Sequence, residues 1–542
     1  MKTYSIGIDF GTLSARCVVV DCSDGREVAE AVYNYPHGVM DDVLPSGKKL
    51  PPLFALQHPE DYLLALENTV KEAVSKAGIT PDAVAGLGID FTACTILPVD
   101  EKGTPLCMLP QYADEPHAYV KLWKHHAAQS EADEINALAS QRNEEWLEAY
   151  GGRISSEWMF PKVLEILRNA PEVYAHTARF MEAADWLVSK LIGKEIHSLP
   201  FAGYKALYYK NAYPANDFFV ALDKGLNGIV GTKISTEIVD FTGMAGVLGA
   251  EGAALTGLNP GTPVAVPQID AHAAMPALQI TDAGELMLIM GTSSCHIVSG
   301  KVAKNIKGIC GYVENGVIPG LATYEAGQAA VGDIFDWFVK NCVPAHYRDE
   351  AELQGVNLHS LLTEKAEKLA VGESGLVALD WMNGNRSVLD DSRLSGLILG
   401  LTLRTKPEEI YRALLEATAF GTKMIVDTLE HNSVPIACVK VAGGIANKNP
   451  LLMQIYADVL DRRMDVCQST QAGALGSAIY GAVAGEVYPT LAQAAKAMGT
   501  PVSKSYYPNP ENHKAYEKLY GEYVQLHDYF GRGGNDIMKR LG

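Results

Sequence analysis

Two short stretches of this chain have nearly the same sequence, and each predicts a β-strand that ends close to an aspartate. Residues 4–16 spell YSIGIDFGTLSAR, and residues 87–95 spell LGIDFTACT. Their apolar residues alternate as in a strand, Gly11 predicts a turn after the first copy, and ARCVVVDC predicts a returning strand. A helical pattern over residues 59–78 separates the two copies. This order predicts a sheet flanked by helices.

A related pattern occurs in the second half of the chain. ELMLIMGTSSCHIVSG (285–300) predicts a strand, a Gly-Thr turn and a second strand, and IACVKVAGG (436–444) predicts a strand that runs into a glycine pair. TPVAVPQID (262–270) again ends on an aspartate. Because 542 residues are too many for one core, the repeat predicts two similar α/β domains, 1–262 and 263–542.

Composition excludes several classes of partner and site. The formal charge of −19 argues against nucleic acid or an anionic membrane as the main partner. Nine cysteines without a Cys-x-x-Cys pair argue against a disulfide framework or a zinc site and fit a reducing cytoplasm. The amino terminus has no apolar signal-peptide core, and the apolar segments are too short to span a bilayer.

The first turn has the composition of a phosphate-binding loop. Backbone N–H groups and hydroxyls of such a turn can hold phosphate oxygens, and Asp9 can hold Mg²⁺, usually through water. The residues concerned are Asp9, Gly11, Thr12, Ser14 and Arg16. A tight hairpin with a capping aspartate is the alternative interpretation. The second Gly-Thr turn, Gly291-Thr292, favours two loops that hold one polyphosphate, and no G-x-x-x-x-G-K-[ST] sequence occurs.

Several longer stretches resemble the FGGY carbohydrate kinases, which belong to the superfamily of sugar kinases, Hsp70 and actin. They are IGIDFGTLSAR, PQIDAHAAMPAL, LIMGTSS, VKVAGGIANKNPLLMQIYADVL and AGALGSAIYGAV. Within that family, YPHGVMD, GIDFTACT, YEAGQAAVGDIFDWFV and LDWMNGNRSVL resemble the bacterial members that act on L-ribulose. The resemblance covers nearly the whole chain. It implies two actin-like (ribonuclease H-like) α/β domains with a central cleft.

The resemblance also implies a reaction. It is the ATP-dependent phosphorylation of L-ribulose to L-ribulose 5-phosphate in L-arabinose catabolism, with Mg²⁺ as the metal. Another pentulose or a polyol (D-ribulose, xylulose or ribitol) is the near alternative, and a chaperone-like or sugar-sensing ATPase is an alternative of a different class. The expected partner is a small sugar, and a homodimer is left open. Closure of the two domains is expected, with a hinge near residues 258–270, where glycines and prolines cluster.

The family pattern assigns roles to residues on the sugar side. Asp270 matches the catalytic aspartate, which accepts the proton of the sugar hydroxyl and lies near the metal together with Asp9. The residues alone also permit Asp270 as the N-cap of the following helix. The resemblance further implies sugar contacts from Ala93, Lys205 and Glu325. On their own, the latter two could be a surface lysine and a helix-start glutamate.

The family pattern also assigns the nucleotide side. Gly443 and Gly444 resemble the site of adenine and ribose, because glycine lets the backbone approach a flat ring closely. Asn447 is the expected polar contact, and Asn449 in the same stretch, GGIANKNP, stays open as the alternative. Gly291 and Thr292 are expected to bind phosphates together with the first turn.

Overall fold

The computed structural model describes residues 3–240, 243–468 and 471–541. Its strands are β1 Tyr4–Phe10, β2 Ser14–Asp21, β3 Glu27–Asn34, β4 Leu56–Gln57, β5 Val84–Phe91, β6 Ile96–Val99, β7 Val120–Lys121, β8 Arg179–Glu182, β9 Met244–Val247, β10 Pro263–Ala265, β11 Gln268–Ile269, β12 Glu285–Met290, β13 Ser294–Gly300, β14 Gly311–Glu314, β15 Ala322–Gln328, β16 Val377–Leu379, β17 Leu397–Leu399, β18 Cys438–Ala442, β19 Met464–Cys467 and β20 Val502–Tyr506.

The helices alternate with these strands along most of the chain. They are α1 Pro59–Ala77, α2 Gln129–Arg142, α3 Glu145–Ala149, α4 Met159–Asn169, α5 Pro171–His176, α6 Ala183–Ile192, α7 Leu199–Lys205, α8 Asn216–Leu222, α9 Ile229–Thr232, α10 Ala250–Thr256, α11 Asp270–Ala277, α12 Gly332–Asn341, α13 Ala345–Gln354, α14 Leu358–Glu367, α15 Pro407–His431, α16 Gly444–Lys448, α17 Pro450–Leu460, α18 Ala472–Ala484, α19 Leu491–Met498, α20 Pro510–Gly531 and α21 Ile537–Leu541. Within the described part of the chain, no helix is both long and apolar enough to cross a membrane.

The chain divides into two compact units that are not contiguous in sequence. The first contains Met1–Thr281, Tyr312–Thr323 and Gln471–Thr500, and the second contains Asp282–Gly311, Tyr324–Thr470 and Pro501–Gly542. The boundary predicted between residues 262 and 263 falls inside the first unit, as does Asp270. The residues of the predicted hinge, 258–270, also lie inside the first unit, and the hinge stays a prediction.

The first unit contains a seven-stranded sheet in which the two similar stretches are neighbours. Its order is β3-β2-β1-β5-β10-β9, and β11 also pairs with β5. Strand β1 is antiparallel to β2 and parallel to β5, so that Asp9 lies opposite Asp90 and Phe10 opposite Phe91. The two phenylalanine rings stack with centroids 4.9 Å apart. The similarity of the stretches therefore corresponds to side-by-side strands in register.

Close packing of α18 holds these two strands. A Cβ atom added to Gly7 would lie 1.8 Å from the carbonyl oxygen of Ala474, and one added to Gly88 would lie 1.9 Å from that of Ser477. Only glycine permits such an approach, because any side chain would collide with the helix backbone. The glycines of the two strands thus let α18 lie directly on the sheet.

The first unit also contains a second, smaller sheet, and the chain passes into it directly after β5 through strand β6. It has the order β4-β7-β6-β8. It packs with α2 and α4 around an apolar cluster that includes Ile96, Trp158 and Phe160. The turn between β5 and β6, residues 92–95, lies at the junction of the large and small sheets. That turn contains Ala93.

A second seven-stranded sheet has the same central arrangement, and its central strands belong to the second unit. The order is β14-β15-β13-β12-β18-β19-β20. Strand β12 is antiparallel to β13 and parallel to β18, as β1 is to β2 and β5. The long helix α15 begins at Pro407, where the missing N–H of proline costs no hydrogen bond, and is buried along most of its length. The prediction of two α/β sheets with related hairpins is confirmed.

Candidate active site

Three carboxylates meet at the carboxyl ends of the central strands of the first unit. Asp9 and Asp90 lie opposite each other on β1 and β5, and Asp270 is the first residue of α11, directly after β11. Ile269 of β11 pairs with Phe91, so the residues that follow both strands are close. Asp270 is therefore the first helical residue and not the N-cap, and its Oδ1 accepts a hydrogen bond from the Ala271 N–H at 2.6 Å.

Burial and neighbouring groups shift the pKa values of this cluster. Burial raises the pKa of Asp90 well above its ordinary value, Asp9 adds to the rise, the Ser477 hydroxyl opposes it and Asp270 adds to it again. Burial also raises the pKa of Asp9, although Asp90 and Arg16 act in the opposite direction. One oxygen of Asp90 accepts from Ser477 Oγ at 2.6 Å, and the Asp90 carboxyl also interacts directly with that of Asp9. A cation beside this cluster would stabilise its ionised form.

The donor set fits a hard cation that keeps part of its water shell. Carboxylate oxygens are the protein ligands that Mg²⁺ prefers, and Mg²⁺ usually retains several waters. Among the described residues, no group of three or more His, Cys, Asp and Glu side chains has the geometry to hold a metal by itself. Water or phosphate oxygens would therefore complete the coordination. Asp90 was missed as a site residue, although the second Ile-Asp-Phe in the sequence was a visible signal for it.

Hydrogen bonds fix the backbone of the first turn, Gly11 to Ser14, and orient the hydroxyl of Thr12. The Gly11 N–H donates to the Ser14 carbonyl oxygen at 3.0 Å, which closes the hairpin. The Gln57 side chain donates to the Thr12 carbonyl oxygen at 2.8 Å, and the Trp123 indole donates to Thr12 Oγ1 at 3.1 Å. Because that oxygen already accepts a hydrogen bond, the Thr12 hydroxyl keeps its own hydrogen for an acceptor such as a phosphate oxygen.

Two of the predicted sugar contacts lie in the first unit, close to each other. Ala93 is half-buried in the turn after β5, and Lys205 is the last residue of α7. Lys205 Nζ lies 5.7 Å from the ring centroid of Trp158 and 5.8 Å from that of Tyr204. Lys205 also acts electrostatically on Cys94, next to Ala93, where it opposes the rise in thiol pKa that burial causes. Lys205 is therefore not a fully solvated surface lysine.

The third predicted sugar contact, Glu325, lies in the second unit. It belongs to strand β15 and is buried, so the alternative of a helix-start glutamate is wrong. Its carbonyl oxygen accepts from the Cys310 N–H at 2.9 Å. Gln328, at the end of the same strand, is hydrogen-bonded within the core. Its amide nitrogen donates to Asp380 and Thr418, and its amide oxygen accepts from Ser294 and Thr422.

The second Gly-Thr turn also closes a hairpin and is tied to a helix. The Gly291 N–H donates to the Ser293 carbonyl oxygen at 2.9 Å. The Thr292 carbonyl oxygen accepts from the Val331 N–H at 2.8 Å and from the Asp333 N–H at 3.2 Å, which joins the turn to the start of α12. The Thr292 side chain itself is exposed. The turn is thus held by backbone hydrogen bonds at the start of α12, and Thr292 is exposed.

The glycine pair marks the end of β18 and the start of α16. Gly443 has a φ of +116°, and a Cβ atom there would lie 2.1 Å from the Met290 carbonyl oxygen, whereas one on Gly444 would meet nothing within 4 Å. Asn447 is exposed and its amide donates to the Gly443 carbonyl oxygen at 3.3 Å. Asn449 is buried and caps α17, with its Oδ1 accepting from the Leu452 N–H at 3.0 Å.

A cavity of about 510 Å³ lies next to this helix start, within the second unit. Its lining comes from α12, α14, α15 and the segment after the glycine pair, and it includes Asn357, His359, Ser360, Thr363, Tyr411, Ile445, Lys448 and Asn449. Asn449 therefore borders the cavity, while Asn447 is not among the residues that line it. The residues of α14 were missed in the sequence, because they form no recognisable motif. They also lie far from the glycine pair along the chain.

Comparison with known proteins gives a consistent result. Models of the FGGY family of carbohydrate kinases match residues 4–275 with the N-terminal domain and residues 286–485 with the C-terminal domain. The chain is 53% identical to a ribulokinase of Halalkalibacterium halodurans, over 99% of this chain and 97% of that one. It is 51% identical to a ribulokinase of Geobacillus thermodenitrificans, over 100% and 97%.

Solved structures show the same fold at low sequence identity. A xylulose kinase from Rhodospirillum rubrum superposes with a TM-score of 0.80 at 23% identity, over 97% of this chain and 98% of that one. A gluconate kinase from Lactobacillus acidophilus gives 0.81 at 17% identity, over 98% and 99%. The predicted fold class, the actin-like α/β fold of the sugar kinases, is confirmed.

Proposed function

We propose that the chain phosphorylates L-ribulose with ATP to give L-ribulose 5-phosphate, a step of L-arabinose catabolism. The chain belongs to the FGGY family of carbohydrate kinases. The observation that supports this substrate most is the full-length similarity to relatives named ribulokinase, at 50–53% identity. We also propose a cytoplasmic location, where ATP is made and where the free cysteines would stay reduced.

Asp270 is the proposed general base. Its carboxylate accepts the proton of the C5 hydroxyl while the oxygen bonds to the γ-phosphorus and the bond to ADP breaks. Such a base typically contributes ~10²–10⁴ in rate, and positioning and charge neutralisation contribute the rest. Mg²⁺ at Asp9 and Asp270 would supply neutralisation of the phosphate charge. The carboxylates of Asp9 and Asp90 at the adjacent strand ends support this assignment.

The proposed sugar contacts are Ala93, Lys205 and Glu325. Lys205 has an ammonium group that donates to sugar hydroxyls, and Glu325 has a carboxylate that accepts from them. A buried polar group of this kind discriminates strongly, because an analogue that lacks the hydroxyl leaves it unpaired. The half-buried Ala93 would limit the space at the sugar without a hydrogen bond of its own.

The proposed nucleotide contacts divide into two groups. Phosphate oxygens would accept hydrogen bonds from the two Gly-Thr turns, which comprise Gly11, Thr12, Ser14 and Arg16 on one side and Gly291 and Thr292 on the other. The nucleoside would bind beside Gly443 and Gly444. The cavity bordered by Asn449 supports Asn449 over Asn447 as its amide contact, since the Asn449 Nδ2 stays available when its Oδ1 caps α17.

A coupled assay of ADP release tests this function. The purified protein is supplied with Mg²⁺-ATP and, in separate reactions, with L-ribulose, D-ribulose, xylulose and ribitol. We expect release that depends on sugar and is fastest with L-ribulose, and a pentulose 5-phosphate as product. Faster turnover of another sugar would replace the proposed substrate, and ADP release without any sugar would favour the sugar-sensing ATPase.

A further inference from the structure

The turn that follows β5 is held in an unusual conformation by two buried charged side chains. Cys94 has a φ of +59°, in the left-handed region that residues with a side chain rarely adopt. Lys162 Nζ donates to the Cys94 carbonyl oxygen at 2.6 Å, and Glu182 Oε2 accepts from the Thr95 N–H at 2.9 Å. The two side chains thus bond to the two sides of the peptide group that joins Cys94 to Thr95.

These contacts connect the turn to the elements around it. Lys162 lies on α4 and also donates to the Leu122 carbonyl oxygen at 2.9 Å, just after β7. Glu182 is the last residue of β8, which pairs with β6 directly after the turn. Thr92 and Thr95 hydrogen-bond through their hydroxyls at 2.9 Å across the turn. The position of Ala93 is therefore set by α4, by β8 and by the segment after β7.

Burial makes the charged forms of Lys162 and Glu182 energetically costly. Lys162 is 0% exposed and Glu182 is 1% exposed. Burial lowers the pKa of Lys162 to about 8 and raises the pKa of Glu182 to about 8, where Lys162 opposes the rise. A well-packed apolar pair would often stabilise such a core at least as well. These two buried ionisable side chains are explained better by the backbone that they hold than by the stability that they add.

We propose that Lys162 and Glu182 are positioning residues, here called the turn clamp, that fix residues 92–95 and so set the fit of the sugar at Ala93. The proposal rests on the proposed function, in which Ala93 and Lys205 contact the sugar. Lys205 also acts electrostatically on Glu182, which connects the clamp to the second sugar contact. Disturbing the clamp changes sugar affinity and selectivity and leaves ATP binding unaffected.

Steady-state kinetics of clamp variants test the proposal. Glu182→Ala and Lys162→Met remove buried hydrogen bonds to the turn, so we expect the KM for L-ribulose to rise about tenfold or more. The KM for ATP is expected to stay within about twofold, since the ATP contacts are elsewhere. In Glu182→Gln the amide oxygen still accepts from the Thr95 N–H, so this variant is expected to restore most of the sugar affinity.

A matched control separates positioning from general stability. Glu165 is also buried, at 2% exposure, but pairs with Lys121 and His125 and makes no bond to the turn. Glu165→Ala is expected to lower the Tm as much as Glu182→Ala does and to leave the KM for L-ribulose unchanged. If Glu165→Ala raises that KM equally, or if Glu182→Ala and Lys162→Met leave it unchanged, the proposal is overturned.

Two further measurements keep the test decisive. Glu182→Asp keeps the carboxyl group and withdraws the acceptor by one methylene, so it tests the clamp if the larger changes prevent folding. An unchanged KM for the sugar would overturn the proposal. If the wild type uses another pentulose and not L-ribulose, the proposed substrate is wrong. The same comparison of KM values with that pentulose then still supports or overturns the clamp.

Discussion

The two large sheets share one central arrangement and differ in what lies at its end. In the first unit the register pair before the turn is Asp9 and Asp90, and in the second unit the corresponding pair is Ile289 and Ala442. The second unit instead continues into Gly443, whose backbone lies against Met290. One scaffold thus presents carboxylates in one copy and bare backbone in the other.

This difference suggests a division of work within the proposed reaction. Carboxylates bind cations and accept protons, whereas glycine backbone approaches phosphates and flat rings closely. The first unit would then perform the chemistry at the hydroxyl and the second would bind the nucleoside. Substitutions at the two strand ends should therefore change different kinetic constants.

The largest expected effect is that of Asp270→Asn. The amide keeps the shape of the side chain and cannot accept the hydroxyl proton, so kcat should fall at least ~10²-fold. ATP affinity, measured by fluorescence titration or calorimetry, should stay close to that of the wild type. Asp282→Asn, at an exposed position, is the control and should be silent. A variant with more than about a tenth of the wild-type kcat would contradict the base assignment.

Gly443→Ala should produce the next largest effect, on the nucleotide side. A φ of +116° and a Cβ position 2.1 Å from the Met290 carbonyl oxygen leave no room for a methyl group. Strain of this kind costs about 1–3 kcal/mol, so we expect the KM for ATP to rise about tenfold. Gly372→Ala is the matched control, because this exposed glycine also has a positive φ, of +73°, and a methyl group there meets nothing within 4 Å. Equal effects of the two substitutions would argue against a specific role of Gly443.

Lys205→Ala and Glu325→Ala test whether both units contribute contacts to the sugar. Both should raise the KM for L-ribulose about tenfold and leave that for ATP nearly unchanged, because an unpaired buried hydroxyl costs about 1–3 kcal/mol. Lys205 lies in the first unit and Glu325 in the second. If Glu325→Ala changes only the KM for ATP, the sugar contacts belong to the first unit alone and the division is sharper than we propose.

The sequence predicted local features well and distant pairings poorly. The strand and turn of Asp9 to Ser14 follow from alternation and Gly11, which neighbouring residues determine. The pairing of Asp9 with Asp90 joins strands separated by a helix, and no local pattern specifies such a register. The cavity residues on α14 were missed for the same reason, since the fold brings them to Asn449. The division of the chain also differs from a simple halving, because residues 471–500 return to the first unit.

The smallest expected effect distinguishes the two asparagines after the glycine pair. Asn449→Ala would remove a helix cap, worth about 1 kcal/mol, together with any ligand contact, so Asn449→Ser is the better variant. Serine can still cap α17 and lacks the amide donor that would reach the nucleoside. We expect its KM for ATP to rise about threefold to tenfold, as for one lost neutral hydrogen bond, with an unchanged Tm. Asn447→Ser, at the exposed position, should leave both values unchanged. The reverse outcome, in which only Asn447→Ser weakens ATP binding, would move the nucleoside contact out of the cavity and to the exposed face of α16.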